Sequence, residues 1–214
     1  PSYNSIVASG DNACTLHYVE NQSKLKQGDL LLTDAGCEYQ MYASDITRTI
    51  PVSGKFTKDQ KAIYAIVLHA QKSAIASVKP GQTFENMQKN TIEIITRGLR
   101  KLGILKGNLS KLIKEEAYKP FYMHGIGHWL GMDVHDVGSY VNEKGKSKNF
   151  LPGMVITVEP GIYISRNSKR VDKKWKGIGI RIEDDVLVTR SGCEVLSGKL
   201  PKEIDKIEAI MSSN

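Results

Sequence analysis

Cysteine is scarce. The three present, Cys14, Cys37 and Cys193, are odd in number, lie far apart and form no CxxC pair. That argues against a disulfide framework and fits free thiols in a reducing cytosol, so a cytoplasmic setting is expected. Long apolar runs are also missing. None approaches the roughly 20 residues needed to cross a bilayer, so no membrane partner is expected. No signal peptide and no initiator Met is visible. The chain opens at Pro1-Ser2-Tyr3, which points to a piece of a longer protein. No GxGxxG fingerprint occurs: Gly125-Ile126-Gly127 followed by Gly131 misses it by one residue, so dinucleotide binding is not supported. HExxH is absent too. His124 and His128 have its spacing, but position 125 is Gly rather than Glu, and two glycines inside the motif disfavour a helix.

What is there is an ordinary globular composition, 40% hydrophobic and 25% charged over 214 residues, enough for one domain with a sizeable core. The net charge is +7. Much of it sits in Arg166, Lys169, Arg170, Lys173, Lys174 and Lys176, a run with one aromatic, Trp175, that matches no nucleic-acid module. It reads as a solvated loop between strands, and no nucleic-acid partner is expected.

The pattern runs from strands to helices and back to strands. Residues 3–50 read as β structure, with Leu30-Leu31-Leu32 leading into Thr33-Asp34-Ala35-Gly36. A hairpin is expected to carry Asp34 and Asp45 onto adjacent strands. Thr57-Lys58-Asp59-Gln60 is a capping-box signature before a helix that ends near Pro80-Gly81. A second helix should begin after Thr83 and stop at Gly103, a short third after Asn108, and a last one after Pro201. Residues 154–164 and 177–188 read as β. The order predicts an α+β fold with an antiparallel sheet. There is also an internal echo. Leu-Leu-Leu-Thr-Asp34-Ala-Gly resembles Val-Ile-Thr-Val-Glu159-Pro-Gly, and each half later supplies a second acid, Asp45 and Glu183.

A carboxylate at the end of a buried strand is expensive unless it is paired or metal-bound. One such acid would ordinarily be a salt bridge or a turn residue. Here there are four, Asp34, Asp45, Glu159 and Glu183, together with a stretch from Tyr122 to Asp136 that holds three of the five histidines, His124, His128 and His135. The expected metal set is Asp34, Asp45, His128, Glu159 and Glu183. Oxygen-rich ligation with one imidazole suits Mn²⁺, Co²⁺ or Fe²⁺ better than structural zinc. Bridging carboxylates allow two ions about 3.5–4 Å apart, a pairing that favours hydrolysis.

At these residues the chain resembles the pita-bread metallopeptidases, family M24, and within them the bacterial aminopeptidase P (Xaa-Pro aminopeptidase) group. The stretches that carry the resemblance are Asn12 to His17, Thr33 to Tyr39, Ala43-Ser44-Asp45-Ile46-Thr47-Arg48-Thr49, His124 to Asp136, Val158 to Tyr163 and Gly179 to Asp184. The resemblance implies a pita-bread fold with pseudo-twofold halves and a curved antiparallel sheet carrying helices on its outer face. It implies one catalytic domain over residues 1–214, preceded in relatives by an N-terminal domain that this sequence does not include, and a homo-oligomeric parent. It implies two divalent ions, Mn²⁺ first, with Co²⁺, Fe²⁺ or Zn²⁺ as alternatives. Asp34 would chelate one ion, Asp45 and Glu183 would bridge both, and His128 and Glu159 would hold the second. A bridging hydroxide would attack the carbonyl before a proline, with Glu159 taking the proton. His135 would hydrogen-bond the substrate with His124 beside it. His17, Tyr163 and Arg181 would shape the proline pocket. The substrate class would be peptides with proline in second place. Three alternatives stand beside this reading: prolidase, methionine aminopeptidase, and a non-catalytic binding module using the basic loop.

Overall fold

The computed structural model describes residues 1–212. The strand-rich N-terminal region contains β1 (Ile6–Ser9), a 3₁₀ turn at Gly10–Cys14, β2 (Leu30–Asp34), β3 (Glu38–Tyr39), β4 (Tyr42–Ala43) and β5 (Thr47–Pro51). Three helices follow: α1 (Lys58–Ser77), α2 (Phe84–Lys101) and α3 (Leu109–Lys114). The C-terminal region holds β6 (Val155–Val158), β7 (Gly161–Ile164), β8 (Ile178–Arg181), β9 (Asp184–Val188), β10 (Cys193–Val195) and α4 (Ile204–Met211).

The helices start where their caps dictate. The Thr57 side chain accepts from the Gln60 backbone N–H, and the Gln60 side chain accepts in return from the Thr57 N–H, so both arms of the capping box form. Thr83 caps α2 through the Asn86 N–H, and Asn108 caps α3. One face of α1 buries Ile63, Tyr64, Val67, Ala70 and Ala74. That face belongs to a core shared with Leu30 of β2, Ile95 and Leu99 of α2, and Ile162, Ile164, Ile178 and Ile180 of β7 and β8. Each isoleucine, leucine or valine among them, fully buried, contributes about 1.5–3 kcal/mol. A second core joins Ile156, Val158, Val186 and Val188 of β6 and β9 to Phe84, Trp129 and Phe150. The basic run becomes a short 3₁₀ turn, Lys173–Trp175, whose Trp175 is buried in the first core.

Every strand pairing among the described residues is antiparallel. The strands form two three-stranded sheets, β1-β2-β5 and β10-β9-β6, and two ribbons, β3-β4 and β7-β8. Hydrogen bonds from β5 cross to the second half of the molecule. Glu183 N–H donates to Thr47 O at 3.1 Å, and Thr49 Oγ1 donates to Arg181 O at 2.9 Å. The echo is thereby structural. In each half a strand leads to a two-stranded ribbon and then to an antiparallel partner, β2–(β3-β4)–β5 and β6–(β7-β8)–β9.

Candidate metal centre

The carboxylates converge because they sit where strand pairing is interrupted. Asp34 is the last residue of β2, opposite Thr47. Asp45 lies in the extended link just before β5, Glu159 directly follows β6, and Glu183 directly precedes β9. The sequence pattern placed all four on strands. Three of them lie in the links just beyond strand ends instead.

The histidine stretch is an irregular loop laid along β6. His128 N–H donates to Thr157 Oγ1 at 3.0 Å, Thr157 N–H donates to His128 O at 3.0 Å, and Glu159 N–H donates to Ile126 O at 2.8 Å. Gly127 permits this approach, since a Cβ there would lie 2.0 Å from the Thr157 carbonyl oxygen.

Asp34, Asp45, His128, Glu159 and Glu183 line one cavity of about 290 Å³, with His17, His124, His135 and Arg181 in the same wall. No residue of α1 or α2 reaches it. Two groups, Asp34-Asp45-Glu183 and His128-Glu159-Glu183, each present ligand atoms within 4.8 Å of one another, and they share Glu183. A third, Asp45-His128-His135, adds the exposed His135. The ring of His135 lies edge-on to that of His128, centroids 4.4 Å apart.

The donor set fits a cation. Among the described residues Arg181 is the one Lys or Arg within ion-pair distance of the four carboxylates, and it is bonded to Asp34. His128 Nδ1 lies 2.9 Å from the Trp129 carbonyl, so Nδ1 carries the proton. That directs the free Nε2 towards Asp45 Oδ2 at 3.3 Å and Glu159 Oε1 at 3.6 Å. A carbonyl-anchored imidazole with its second nitrogen among carboxylates is the arrangement that metal-ligating histidines adopt.

Without a cation this packing is electrostatically uncomfortable. Burial, reinforced by the charges of Glu159, Asp45 and Asp34, pushes Glu183 well above the carboxylate range. Burial with the Asp45 and Asp34 charges outweighs His128 and Arg181 and raises Glu159 to about 7. Burial also raises Asp34 against the pull of Arg181. Asp45 goes the other way: hydrogen bonds from His128 and Tyr3 overcome its burial. His128 is raised because Asp45 and Glu159 outweigh its burial.

Two residues that sequence reasoning missed complete the centre. The Tyr3 hydroxyl bridges Asp34 Oδ1 and Asp45 Oδ1, the latter at 2.6 Å. No pattern signalled this, because Tyr3 precedes the first strand. Thr47 Oγ1 donates to Glu183 Oε2 at 2.6 Å. Its spacing from Asp45, with period two, was the available clue.

The remaining expected residues divide by exposure. His17 lines the cavity and is exposed. Tyr163 does not line it; at 1% exposure it packs with Ile6 and Leu32 behind the wall. Its hydroxyl takes a hydrogen bond from Arg181 Nη1 at 3.1 Å and lies 2.8 Å from His124 Nε2. His124 Nδ1 lies 2.8 Å from Gly125 O, so it holds the ring proton, and Nε2 accepts from Tyr163. Burial lowers the His124 pKa to about 4 and keeps the ring neutral. Arg181 therefore faces Asp34 and Tyr163 rather than pairing with Glu183 alone.

Comparisons with known proteins give the family and the fold. The profile of metallopeptidase family M24 matches residues 1–190. The chain is 56% identical over 212 residues to the Xaa-Pro aminopeptidase of Haemophilus influenzae, covering 99% of this chain and 49% of that protein. It is 50% identical over 211 residues to the Xaa-Pro aminopeptidase of Escherichia coli, covering 99% and 47%. Among solved structures, Pseudomonas aeruginosa aminopeptidase PepP superposes with a TM-score of 0.97 at 55% identity, over 100% of this chain and 48% of that one. Aminopeptidase P from E. coli with the inhibitor Pro-Leu gives 0.96 at 50% identity, over 100% and 48%. The chain thus spans about half the length of these relatives and has their pita-bread fold. It belongs to metallopeptidase family M24.

Proposed function

We propose that residues 1–214 are the catalytic domain of a cytoplasmic Xaa-Pro aminopeptidase, which removes the N-terminal residue from peptides with proline in second place. The observation that carries this reading is the set of five ligand-type side chains around one cavity, in a chain half identical or better to two Xaa-Pro aminopeptidases. Asp34, Asp45, His128, Glu159 and Glu183 would hold two divalent ions, Mn²⁺ by preference, with Asp45 and Glu183 shared. The sharing of Glu183 between two ligand groups supports this division. When bound, a metal pair supplies a nucleophile at neutral pH by lowering the pKa of its water to about 7, and it polarises the scissile carbonyl.

The chain's own residues do the rest. Asp34, at the cavity end bonded by Tyr3, receives the free amine of the substrate. Glu159 stands between His128 and His124, with Oε2 3.9 Å from His124 Nδ1, and takes the proton from the attacking water. His135, exposed at the rim, hydrogen-bonds the substrate as charge develops on its carbonyl oxygen. Groups of this kind contribute about 10²–10⁴ in rate. The Arg181–Tyr163–His124 chain fixes a neutral imidazole in the cavity wall, and Arg181 and Tyr163 shape the proline pocket together with His17. The parent protein is taken to be a homo-oligomer.

The test is release of the N-terminal residue from an Ala-Pro-Xaa tripeptide by the full-length parent, with Mn²⁺ and then with chelator. The Ala-Pro dipeptide and a Met-Ala-Xaa peptide serve as controls. Metal-dependent cleavage of the tripeptide is expected. Cleavage of the dipeptide alone would assign a prolidase, and cleavage of Met-Ala-Xaa alone a methionine aminopeptidase.

A further inference from the structure

Glu183 is followed by two more acids, and all three are buried, at 1%, 0% and 4% exposure. Asp184 is neutralised: it pairs with Arg48 at 2.6 Å and Lys202 at 2.5 Å. Asp185 has no cation within ion-pair distance among the described residues. What its carboxylate does hold is the backbone N–H of Asp45, with Oδ2 at 3.2 Å and Oδ1 at 3.3 Å. A buried carboxylate with so little compensation is costly. It sits where it fixes the backbone of a ligand that belongs to the other half of the molecule.

The opposite contact exists too. Thr47, on β5 of the first half, donates its hydroxyl to Glu183 Oε2 at 2.6 Å, and its carbonyl accepts the Glu183 N–H at 3.1 Å. Arg48 Nη1 straps the pair, donating to Thr47 O at 2.9 Å and to Glu183 O at 2.6 Å. Each half therefore grips the shared acid of the other, one by its main chain and one by its carboxylate.

We infer that Asp185 and Thr47 are reciprocal positioning residues, Asp185 orienting Asp45 and Thr47 orienting Glu183, so that neither half forms a competent metal site alone. The inference rests on the reading of Asp45 and Glu183 as shared ligands. Fixing the Asp45 main chain sets where its carboxylate stands relative to His128. Fixing one oxygen of Glu183 sets its rotamer and turns the other oxygen to the cavity.

The experiment is Mn²⁺ titration of the full chain by calorimetry, alongside thermal unfolding of the metal-free protein. Asp185→Leu removes the acceptor, and Asp185→Asn, of similar volume to Asp, keeps one oxygen for the Asp45 N–H. Thr47→Val removes the hydroxyl at constant shape, and Thr47→Ser keeps it. Asp185→Leu and Thr47→Val should each weaken Mn²⁺ binding by about 10–100-fold, the usual effect of losing an outer partner of a ligand. Asp185→Asn and Thr47→Ser should recover most of it. Thr49→Val is the control. It breaks the neighbouring cross-half bonds to the Arg181 main chain without touching a ligand, and should lower the unfolding temperature while leaving Mn²⁺ affinity at the wild-type value. Folded Asp185→Leu and Thr47→Val proteins that bind Mn²⁺ like the wild type overturn the inference, as does weak binding by both conservative variants. Should one residue's disruptive variant fail to fold, the other pair decides. A wild-type chain that takes up no Mn²⁺ overturns the metal reading itself, before any variant is made.

Discussion

Between β2 and β5 the chain inserts the ribbon β3-β4, and between β6 and β9 it inserts β7-β8. The first ribbon is exposed: Tyr39, Met41 and Tyr42 are 73%, 64% and 46% accessible. The second is buried along all eight of its residues. The acids at the ribbon bases are nevertheless equivalent, Asp34 with Glu159 and Asp45 with Glu183. Even the glycine two residues after the first acid recurs, with a different reason each time. A Cβ on Gly36 would meet the Ser44 carbonyl oxygen at 1.7 Å, and one on Gly161 the Tyr163 hydroxyl at 2.4 Å. The acid-bearing bases thus keep one pattern in both halves, reached through different contacts, while the ribbons differ. The buried ribbon supplies core, the cavity residue Arg181, and Tyr163 behind it, which bonds to Arg181 and His124. The exposed one supplies none of these.

If the bases are equivalent, removing either shared acid should be equally damaging. Asp45→Ala and Glu183→Ala should each reduce peptidase activity of the full-length protein by more than the about 10–100-fold typical of an outer partner, with parallel loss of Mn²⁺ stoichiometry. A large asymmetry in stoichiometry would break the comparison. If the ribbons are unequal, stability should show it. Ile180→Ala in β8 should lower the unfolding free energy by about 2–5 kcal/mol, read from urea denaturation. Tyr39→Ala in β3 should stay within about 0.5 kcal/mol.

The pH dependence sharpens the electrostatic side of the same contrast. Glu159 and Asp185 are both lifted to about 7, chiefly by burial, and then by Asp45 with Asp34 and by Asp45 with Asp184 respectively. An acid whose folded pKa exceeds its unfolded value binds more protons in the native state. The stability it lends is complete below the unfolded value, near 4, and is lost as pH rises through the folded one. Metal-free protein should therefore unfold at lower temperature at pH 7.5 than at pH 5, and saturating Mn²⁺ should reverse that order. A metal-free protein equally stable at both would contradict the crowding of carboxylates at the bases. A change of the opposite sign is expected at the tip of the exposed ribbon. Gln40 and Met41 both hold positive φ, 50° and 63°, without being glycine. Replacing them with Asn-Gly should raise stability by about 1 kcal/mol, because side chains at left-handed φ carry a steric penalty that this pair avoids.

Much of this was legible in the sequence, for identifiable reasons. Helix starts were readable because Thr57, Thr83 and Asn108 act locally, through side-chain bonds within three residues. The acid–x–Gly echo was readable because the same geometry recurs. Asp45, Glu159 and Glu183 were misplaced onto strands because burial and polarity alternate through a strand break much as they do along a strand. Tyr3 and Asp185 were not readable: their partners lie 31 or more residues away, and nothing in local spacing records such a contact. For Thr47 only the period-two spacing from Asp45 hinted at its place beside the site.

The two tryptophans fall one in each core. Trp129 directly follows His128, accepts that ring's Nδ1–H on its carbonyl, and has an indole N–H with no partner. Trp175 is wedged under Lys174, 4.8 Å from the ring centroid, in the other core. The two indoles can therefore be told apart by substitution: a fluorescence change on adding Mn²⁺ that persists in Trp175→Phe and vanishes in Trp129→Phe would arise beside His128.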